Sequence, residues 1–221
     1  MGIPVLIIGR SGTGKTTSLR NIKNAVVFNV LNKTLPFQVK VENNLAIVKT
    51  PDYQKIKSVL IRATAAEGYL GIIDDAGYLM TDAFMNGHSS SAKGNAVFEL
   101  YNQIADNFYD LVKAVGLLDD NVIVYFLMHE DQNDFGNIKP KTIGKMLDDK
   151  VCLEGMFTIC LRTVIQDKKY VFATKTDGLD VVKTPLGLFD EDYIDNDLAV
   201  VDAKIRKFYN LKESKLLKKG E

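Results

Sequence analysis

Short uninterrupted apolar runs alternate with amphipathic segments along the first 130 residues of the chain. Runs of this length, bounded by glycine and polar residues, are typical of strands that are buried on both faces of a parallel sheet. They lie at residues 3–8, 26–28, 45–48, 69–73 and 122–128. Because strands that alternate with helices pack as a parallel sheet between two helical layers, the pattern predicts an α/β fold.

Apolar positions at helical spacing follow several of these runs. A helix is predicted over residues 15–23, directly after the first run. Another is predicted to begin at Thr50 and Pro51, where a capping hydroxyl precedes a proline in the first turn. A long helix over residues 97–115 and a final helix over residues 198–208 carry apolar residues along one face.

The other segments lack helical spacing. Residues 86–94, which are rich in Gly and Ser, and residues 131–150, which are polar, are predicted to be irregular. Two apolar stretches, residues 157–165 and 170–175, are separated by a polar turn and predict an antiparallel hairpin.

The first apolar run leads directly into Gly9-Arg10-Ser11-Gly12-Thr13-Gly14-Lys15-Thr16, which Thr17 follows. This segment matches the motif G-x-x-x-x-G-K-[ST] at every fixed position. The glycines let backbone N–H groups curl round a phosphate without side chains in the way. In such a loop Lys15 reaches the β- and γ-phosphates and Thr16 ligates Mg²⁺. Residues 9–17 are therefore predicted to bind ATP with Mg²⁺.

Polar side chains end two of the later apolar runs. Asp74 and Asp75 follow the fourth run, and His129 follows the fifth. Because the carboxyl ends of parallel strands face the ligand crevice, these side chains are candidates for the nucleotide site. Asp74 is predicted to hold Mg²⁺ opposite Thr16, and Asp75 to orient or deprotonate the attacking water. His129 is predicted to sense the γ-phosphate; solvated acids and a half-buried histidine are the structural alternatives.

Basic residues surround the predicted hairpin: Lys168, Lys169, Lys175 and Lys183. Each is a candidate to act on the ATP of a neighbouring subunit or to contact DNA phosphates, and a solvated face is the alternative. Tyr170 and Phe172 alternate with partners on the second hairpin strand. We interpret them as core residues rather than as platforms for base stacking.

Composition narrows the functional class. The chain has 28 basic and 28 acidic residues, so it carries no global nucleic-acid signature. Cys152 and Cys160 lie among apolar residues and are interpreted as buried thiols, with no Cys/His cluster for zinc.

No apolar run is long enough to span a bilayer, which predicts a cytoplasmic protein without a membrane partner. The length fits one domain over residues 1–210, followed by a flexible Lys-rich tail over residues 211–221.

Several segments together carry a family resemblance. They are residues 9–17, 72–75, 128–130, 139–141, 144–147, 172–178 and 183–189. In these segments the chain resembles the phage-encoded AAA-domain ATP-binding proteins. That family is similar to the core of RecA-type recombinases and includes Sak-type single-strand annealing proteins. The resemblance covers nearly the whole chain.

This resemblance implies a RecA-like core, with a doubly wound, mostly parallel sheet and a C-terminal antiparallel hairpin. It implies ATP at the interfaces of a homo-oligomeric ring or filament that acts on single-stranded DNA, beside a single-strand DNA-binding protein, in an infected bacterial host cell. By position, it implies that Lys15, Thr16 and Asp74 bind ATP and Mg²⁺ and that His129 is the strand-end sensor. Lys175 lies where a lysine can act on the ATP of a neighbouring subunit.

The chain departs from the RecA-type pattern at one position. RecA-type enzymes place a catalytic glutamate just after the strand that follows the P-loop helix, and this chain has Asn29 there. Either Asp75 takes the role or hydrolysis is slow. Two alternatives stay open: an assembly or helicase-loader protein with little hydrolysis, and a small-molecule P-loop kinase. A kinase needs an arginine-bearing lid, which the five dispersed arginines do not supply.

Overall fold

Nine strands form one sheet in the computed structural model, which describes residues 1–62, 68–89, 95–144, 147 and 150–216. Within those residues the strands are β1 (Ile3–Gly9), β2 (Ala25–Asn29), β3 (Leu45–Lys49), β4 (Tyr69–Asp74), β5 (Val122–Gln132), β6 (Ile138–Pro140), β7 (Ile159–Gln166), β8 (Lys169–Ala173) and β9 (Tyr193–Asp195). Hydrogen-bonded neighbours follow the order β3-β2-β4-β5-β1-β7-β8-β9, and β6 pairs with β5. The strand that leads into the phosphate-binding loop therefore lies in the middle of the sheet.

The parallel part of the sheet runs from β3 to β7. Strands β8 and β9 continue it in antiparallel pairing. All five strands that the apolar runs predict are present, and so is the predicted hairpin. The architecture confirms the prediction of a RecA-like α/β fold with a C-terminal antiparallel hairpin.

Two apolar cores lie on opposite faces of the sheet, because successive strand residues point to opposite sides. Leu6 and Ile8 of β1 belong to one core, and Val5 and Ile7 belong to the other. The helices that cover the sheet are α1 (Tyr53–Arg62), α2 (Gly77–Gly87), α3 (Ala96–Gly116) and α4 (Leu198–Phe208). Residues of α1, α2 and α3 line the first core, and residues of α4 line the second.

The helix predicted over residues 15–23 is shorter and tighter than expected. A 3₁₀ helix spans Thr16–Asn21, and Ile22 already has extended dihedral angles (φ −63°, ψ 141°). Leu19 and Ile22 are both buried. Their spacing of three matches the three residues per turn of a 3₁₀ helix, and the chain then turns into β2.

The start of α1 also differs from the prediction. The helix begins at Tyr53, and the side chain that accepts hydrogen bonds from the N–H groups of its first turn is Asp52 rather than Thr50. The carboxylate of Asp52 accepts a hydrogen bond from the backbone N–H of Gln54 at 2.7 Å. A carboxylate at this position satisfies an N–H group that the helix itself leaves unpaired.

Several elements exceed what the pattern predicts, among them the short strands β6 and β9. Strand β5 continues through its polar end to Gln132, where it pairs with β6 in the stretch predicted to be irregular. His129 therefore lies within a strand rather than after it. Helix α2 was not predicted, because Leu79 and Met80 are its only fully buried residues and give no clear periodicity.

Two side chains predicted to be buried are exposed. Phe172 lies in the core as predicted, but Tyr170 is 48% exposed because it stands beside the hairpin turn at the start of β8. Cys160 is buried, whereas Cys152 is exposed in a turn, with a φ of 38°.

Some predictions fall on residues that the structure does not describe. They concern residues 90–94 of the predicted Gly- and Ser-rich loop, Lys145 and Met146 of the family segments, and residues 217–221 of the predicted tail. In the part of the chain that is described, no helix combines the length and apolar character needed to cross a membrane.

A buried polar network joins α4 to the amino ends of β4 and β5. The guanidinium of Arg206, which is 5% exposed, donates to Asp202 Oδ2 at 2.7 Å. Asp202 also accepts a hydrogen bond from the hydroxyl of Tyr125, in the middle of β5, at 3.1 Å. Three carbonyl oxygens accept further hydrogen bonds from Arg206, at 2.7–3.2 Å: those of Tyr69, Asn121 and Lys212.

The first residues of the predicted tail contact the domain. The backbone N–H of Lys212 donates to Asn121 Oδ1 at 2.8 Å, and the hydroxyl of Ser214 donates to the carbonyl oxygen of Asn24 at 2.6 Å. Residues 211–216 thus lie along the amino end of the sheet, opposite the phosphate-binding loop.

Replacing Arg206 with alanine is expected to lower the free energy of unfolding by about 3 kcal/mol, because it leaves the buried Asp202 carboxylate without its charged partner. In a domain of this size that corresponds to a Tm lower by about 6–12 °C, measurable by circular dichroism. Arg62→Ala, at the exposed end of α1, is the matched control and should change the Tm little. Equal losses in the two variants would contradict the role given to the network.

Candidate nucleotide-binding site

The phosphate-binding loop begins where β1 ends at Gly9 and continues to the 3₁₀ helix that starts at Thr16. Gly14 has a φ of 96°, and a Cβ atom built on it would lie 3.0 Å from Asn196 Oδ1. A Cβ atom on Gly9 would collide with the hydroxyl of Thr163 on β7. Close approach therefore requires glycine at both positions, and at Gly14 the backbone angle requires it as well.

Neighbouring groups hold the rest of the loop. The hydroxyl of Thr13 donates to the carbonyl oxygen of Arg10 at 2.7 Å and lies 2.7 Å from the hydroxyl of Thr163. Thr17 is half-buried, whereas Ser11 is exposed and lines a cleft of about 600 Å³ beside the loop. The loop is therefore anchored on its β7 side and open toward the cleft.

Lys15 lies over the loop with its side chain almost fully buried. Its Nζ donates to the carbonyl oxygens of Gly9 and Arg10, at 2.7 and 2.8 Å. Burial lowers the pKa of Lys15 to about 8, although the nearby carboxylates of Asp75 and Glu130 favour its charged form. A lysine with this pKa is mostly charged at neutral pH, as a phosphate-binding lysine must be.

Thr16 and Asp74 meet at the end of β4, as the sequence predicts. The hydroxyl of Thr16 donates to Asp74 Oδ1 at 2.8 Å, and Asp74 is 6% exposed. Burial, and then the neighbouring charge of Asp75, raises the pKa of Asp74 to about 6. These two effects outweigh the hydrogen bond from Thr16 and the charges of Lys33 and Lys15, which favour the ionised form.

The donor set at Thr16 and Asp74 fits Mg²⁺. Both groups offer oxygen atoms, which this hard cation prefers, and both lie at the mouth of a phosphate-binding loop. Among the described residues, no cluster of three or more His, Cys, Asp or Glu side chains offers a metal site made by the protein alone. Mg²⁺ at a P-loop takes few protein ligands and completes its shell with phosphate oxygens and water, so two oxygens suffice here.

Asp75 lies next to this pair in a left-handed backbone conformation, with a φ of 62°. One carboxylate oxygen lies 2.5 Å from Lys33 Nζ and the other lies 3.4 Å from His129 Nε2. Burial opposes ionisation of Asp75, but the hydrogen bonds from His129 and Lys33 outweigh it and hold the pKa of Asp75 below its usual value. Asp75 is therefore ionised at neutral pH, whereas Asp74 gains its charge only above about pH 6.

Lys33 is the main residue of this site that the sequence did not reveal. It lies in the segment after β2, where both its backbone N–H and its carbonyl oxygen bind the side chain of Asn29, at 3.0 and 2.6 Å. Asn29 is paired with Asp74 across β2 and β4. The sequence shows an asparagine at the end of a predicted strand. No local pattern indicates that its side chain holds the backbone of a lysine four residues later.

A second group missed by the sequence lies behind Arg10. The carboxylate of Glu130 accepts two hydrogen bonds from Arg162, at 2.7 and 3.0 Å, and lies 3.3 Å from Arg10 Nε. The Glu130 side chain is 3% exposed, so it is held almost entirely by these two arginines. The Glu130–Arg162 ion pair connects the polar end of β5 to β7. Strand β1, which leads into the loop, lies between these two strands.

The structure brings His129 into the site and leaves Lys175 elsewhere. His129 is paired with Gly9 across β5 and β1, contacts Asp75, and stands edge-on to the ring of Tyr78, with centroids 5.8 Å apart. Lys175 donates to the carbonyl oxygen of Asp190 at 2.6 Å and pairs with Asp192 at 2.9 Å. Within one chain, Lys175 is therefore engaged beyond the end of β8 and does not join the loop residues.

Replacing Asp74 with asparagine is expected to raise the Tm at pH 7.5 by about 2–4 °C, since it removes a buried charge worth about 1 kcal/mol of destabilisation. Because the folded-state pKa of Asp74 is raised to about 6, its protonated form adds stability at low pH, and this is lost as the pH rises through 6. The difference from wild type should therefore shrink below pH 6. Asp106→Asn, on the exposed face of α3, is the control, and an unchanged or lower Tm for Asp74→Asn would contradict the burial argument.

Replacing Lys33 with alanine is expected to raise the pKa of Asp75, because burial then acts against fewer compensating hydrogen bonds. Carbon-13 NMR titration of the Asp75 carboxylate measures this directly. Lys141→Ala is the matched control, because Lys141 lines the same cleft but is not one of the described partners of Asp75. Those partners are Lys33 and His129. A titration curve that stays the same in Lys33→Ala would remove Lys33 from the site.

Comparison with known proteins identifies a family for this chain. A family model described as an AAA domain matches residues 1–185, which include the phosphate-binding loop, Asp74 and His129. The structure of the ATPase DotB of Legionella pneumophila is one of 54 matching chains, at 10% sequence identity and a TM-score of 0.37. That match covers 96% of this chain and 53% of the DotB chain, so this chain spans about half of its length. No curated protein matches. Because the family model matches well over half of its residues, the chain belongs to this AAA domain family.

Proposed function

We propose that this chain is a Mg²⁺-dependent ATPase that acts on single-stranded DNA in phage recombination or replication, by annealing or strand exchange. One observation supports the ATPase activity above all. The carboxyl ends of β1 and β4 bring together a P-loop lysine, the Thr16–Asp74 oxygen pair and the ionised carboxylate of Asp75. The proposed action on DNA is supported by the family resemblance of the later segments.

The side chains have distinct roles in this proposal. Phosphate oxygens replace the two carbonyl oxygens that Lys15 contacts, so the ammonium group moves along the loop without leaving it. Mg²⁺, when held by Thr16 and Asp74, supplies positive charge to the β- and γ-phosphates. Asp75 accepts the proton of the attacking water once the Lys33 ammonium has turned away from it. His129 contacts Asp75 and is paired with Gly9, so it links the carboxylate to the strand that carries the loop.

The proposal extends to assembly. Identical subunits form a ring or filament with ATP at their interfaces, and a single-strand DNA-binding protein accompanies them on DNA in the cytoplasm of the infected cell. Lys175 is the residue proposed to reach the ATP of the next subunit. It is half-exposed and paired with an exposed carboxylate, Asp192, so little free energy opposes its release.

A second candidate function follows from the contacts of Asp75. Lys33 and His129 already occupy its carboxylate, and Asn29 stands where RecA-type enzymes carry a catalytic glutamate. This arrangement favours a protein that binds ATP and assembles, with little turnover, such as a loader for a helicase.

One experiment separates these functions. Phosphate release and light scattering are measured together, with ATP and Mg²⁺, with and without single-stranded DNA, at low and high salt. The DNA-acting ATPase predicts turnover that single-stranded DNA stimulates and that salt suppresses steeply. Assembly with ATP but without turnover supports the loader, and the absence of both responses contradicts both functions.

Lys15→Ala is expected to abolish the response to ATP while leaving the fold intact, because it removes the charge that holds the phosphates. Lys23→Ala, an exposed lysine just after the 3₁₀ helix, is the matched control and should behave like wild type. Retained ATP affinity in Lys15→Ala would show that the loop is not the nucleotide site.

A further inference from the structure

The two sides of the phosphate-binding loop have different neighbours. On the β4 side the loop meets Asp74 and Asp75, which mark the position of Mg²⁺ and the γ-phosphate. On the other side it meets β7 through Thr13 and the start of β8 through Gly14. Because the triphosphate is a linear chain with its γ end near Asp74, its nucleoside end must leave the loop on the side of β8 and β9.

Asn196, directly after β9, is the unusual residue on that side. It is 3% exposed, and among the described residues neither its amide nitrogen nor its amide oxygen has a hydrogen-bond partner. Its backbone is nevertheless fixed: the N–H donates to the carbonyl oxygen of Tyr170 at 3.3 Å, and the carbonyl oxygen accepts from Arg20 Nη1 at 2.5 Å. A buried amide with both functions unpaired costs free energy that a ligand would recover.

Tyr170 stands beside this amide. Atoms of both side chains lie 3.0–3.3 Å from the position that a Cβ atom on Gly14 would take, so both press against the loop. Tyr170 is 48% exposed, although an aromatic ring on a hairpin strand normally packs into the core. A half-exposed aromatic ring next to a phosphate loop is suited to stacking with a base.

We propose that Tyr170 and Asn196 form the base subsite of the nucleotide, with the base stacked on the Tyr170 ring and its polar edge bound by the Asn196 amide. The proposal rests on the nucleotide binding proposed above and adds a specificity to it. The Tyr170 ring and Gly14 enclose the Asn196 amide, so the half-exposed ring must first rotate away from Gly14. The base then stacks on the rotated ring and reaches the amide.

In this proposal the base presents its N7 edge to the amide, and at that edge the amide distinguishes adenine from guanine. An asparagine side chain offers one acceptor and a donor together, which match the N6 amino group and the N7 acceptor of adenine. Guanine offers two acceptors, O6 and N7, at the same edge, so one of the two pairings is lost. The subsite therefore favours ATP over GTP.

The test measures the affinities of ATP, GTP and inorganic triphosphate for the purified chain by calorimetry in the presence of Mg²⁺. Inorganic triphosphate reports on the loop alone, because it carries no base. Wild type is expected to bind ATP about tenfold more tightly than GTP, the equivalent of one good pairing. Tyr170→Ala and Asn196→Ala are each expected to weaken ATP about tenfold and to leave triphosphate unchanged.

Two control variants complete the design. Tyr170→Phe keeps the aromatic ring and should retain the affinity for ATP. Tyr193→Ala removes a tyrosine of similar exposure, 45%, from β9 at its pairing with Ala173, away from the loop, and should have no effect. If Asn196→Ala does not fold, the comparison of Tyr170→Ala with Tyr170→Phe decides alone.

The outcomes separate the subsite from the nucleotide site itself. If wild type binds ATP and triphosphate but Tyr170→Ala and Asn196→Ala bind ATP equally well, the base subsite is overturned while nucleotide binding stands. Equal losses of affinity for ATP and for triphosphate in these variants also overturn the base subsite, since the substitutions then act on the phosphate-binding loop. If wild type binds neither ligand, the proposed function falls and the subsite falls with it.

Discussion

The parallel pairing of β1 with β5 and β7 is the constraint on which the site depends. It sets Gly9 opposite His129 and brings Thr163 against the loop, so three strands meet at one end of the sheet. Backbone hydrogen bonds fix this register along the whole of β1, and apolar residues bury it on both faces. A slip of one residue would exchange the two cores and separate the loop from its neighbours.

Charges that are costly to bury accumulate at that end of the sheet. Lys15, Asp74 and Asp75 are each less than a tenth exposed, and the pKa values of all three are shifted. The shifts of the two acids have opposite signs, because Asp75 has partners that favour its charge and Asp74 has fewer. Neighbouring carboxylates with different environments can take different tasks, one as a metal ligand and the other as a proton acceptor.

The sequence predicts the parts of this molecule that depend on local patterns. Buried strands appear as apolar runs, and the loop and Asp74 follow from a motif and its position at a strand end. The contacts of Lys33 and Glu130 and the burial of the Asn196 amide could not be predicted, because they depend on how distant segments meet. The prediction that Tyr170 is buried is wrong, since alternation along a strand does not show that the strand begins beside a turn next to the loop.

The clamp between Asn29 and Lys33 has a mechanical consequence. Asn29 binds the backbone of Lys33 on both sides, so the position of the Cα atom is set by β2, while the four-carbon side chain stays free to pivot. The ammonium group lies 2.5 Å from Asp75 and 5.7 Å from the centre of the Tyr78 ring. It can exchange one partner for another by rotation about side-chain bonds alone. When the charge in the cleft changes, the Lys33 side chain can thus reorient within nanoseconds while the main chain keeps its position.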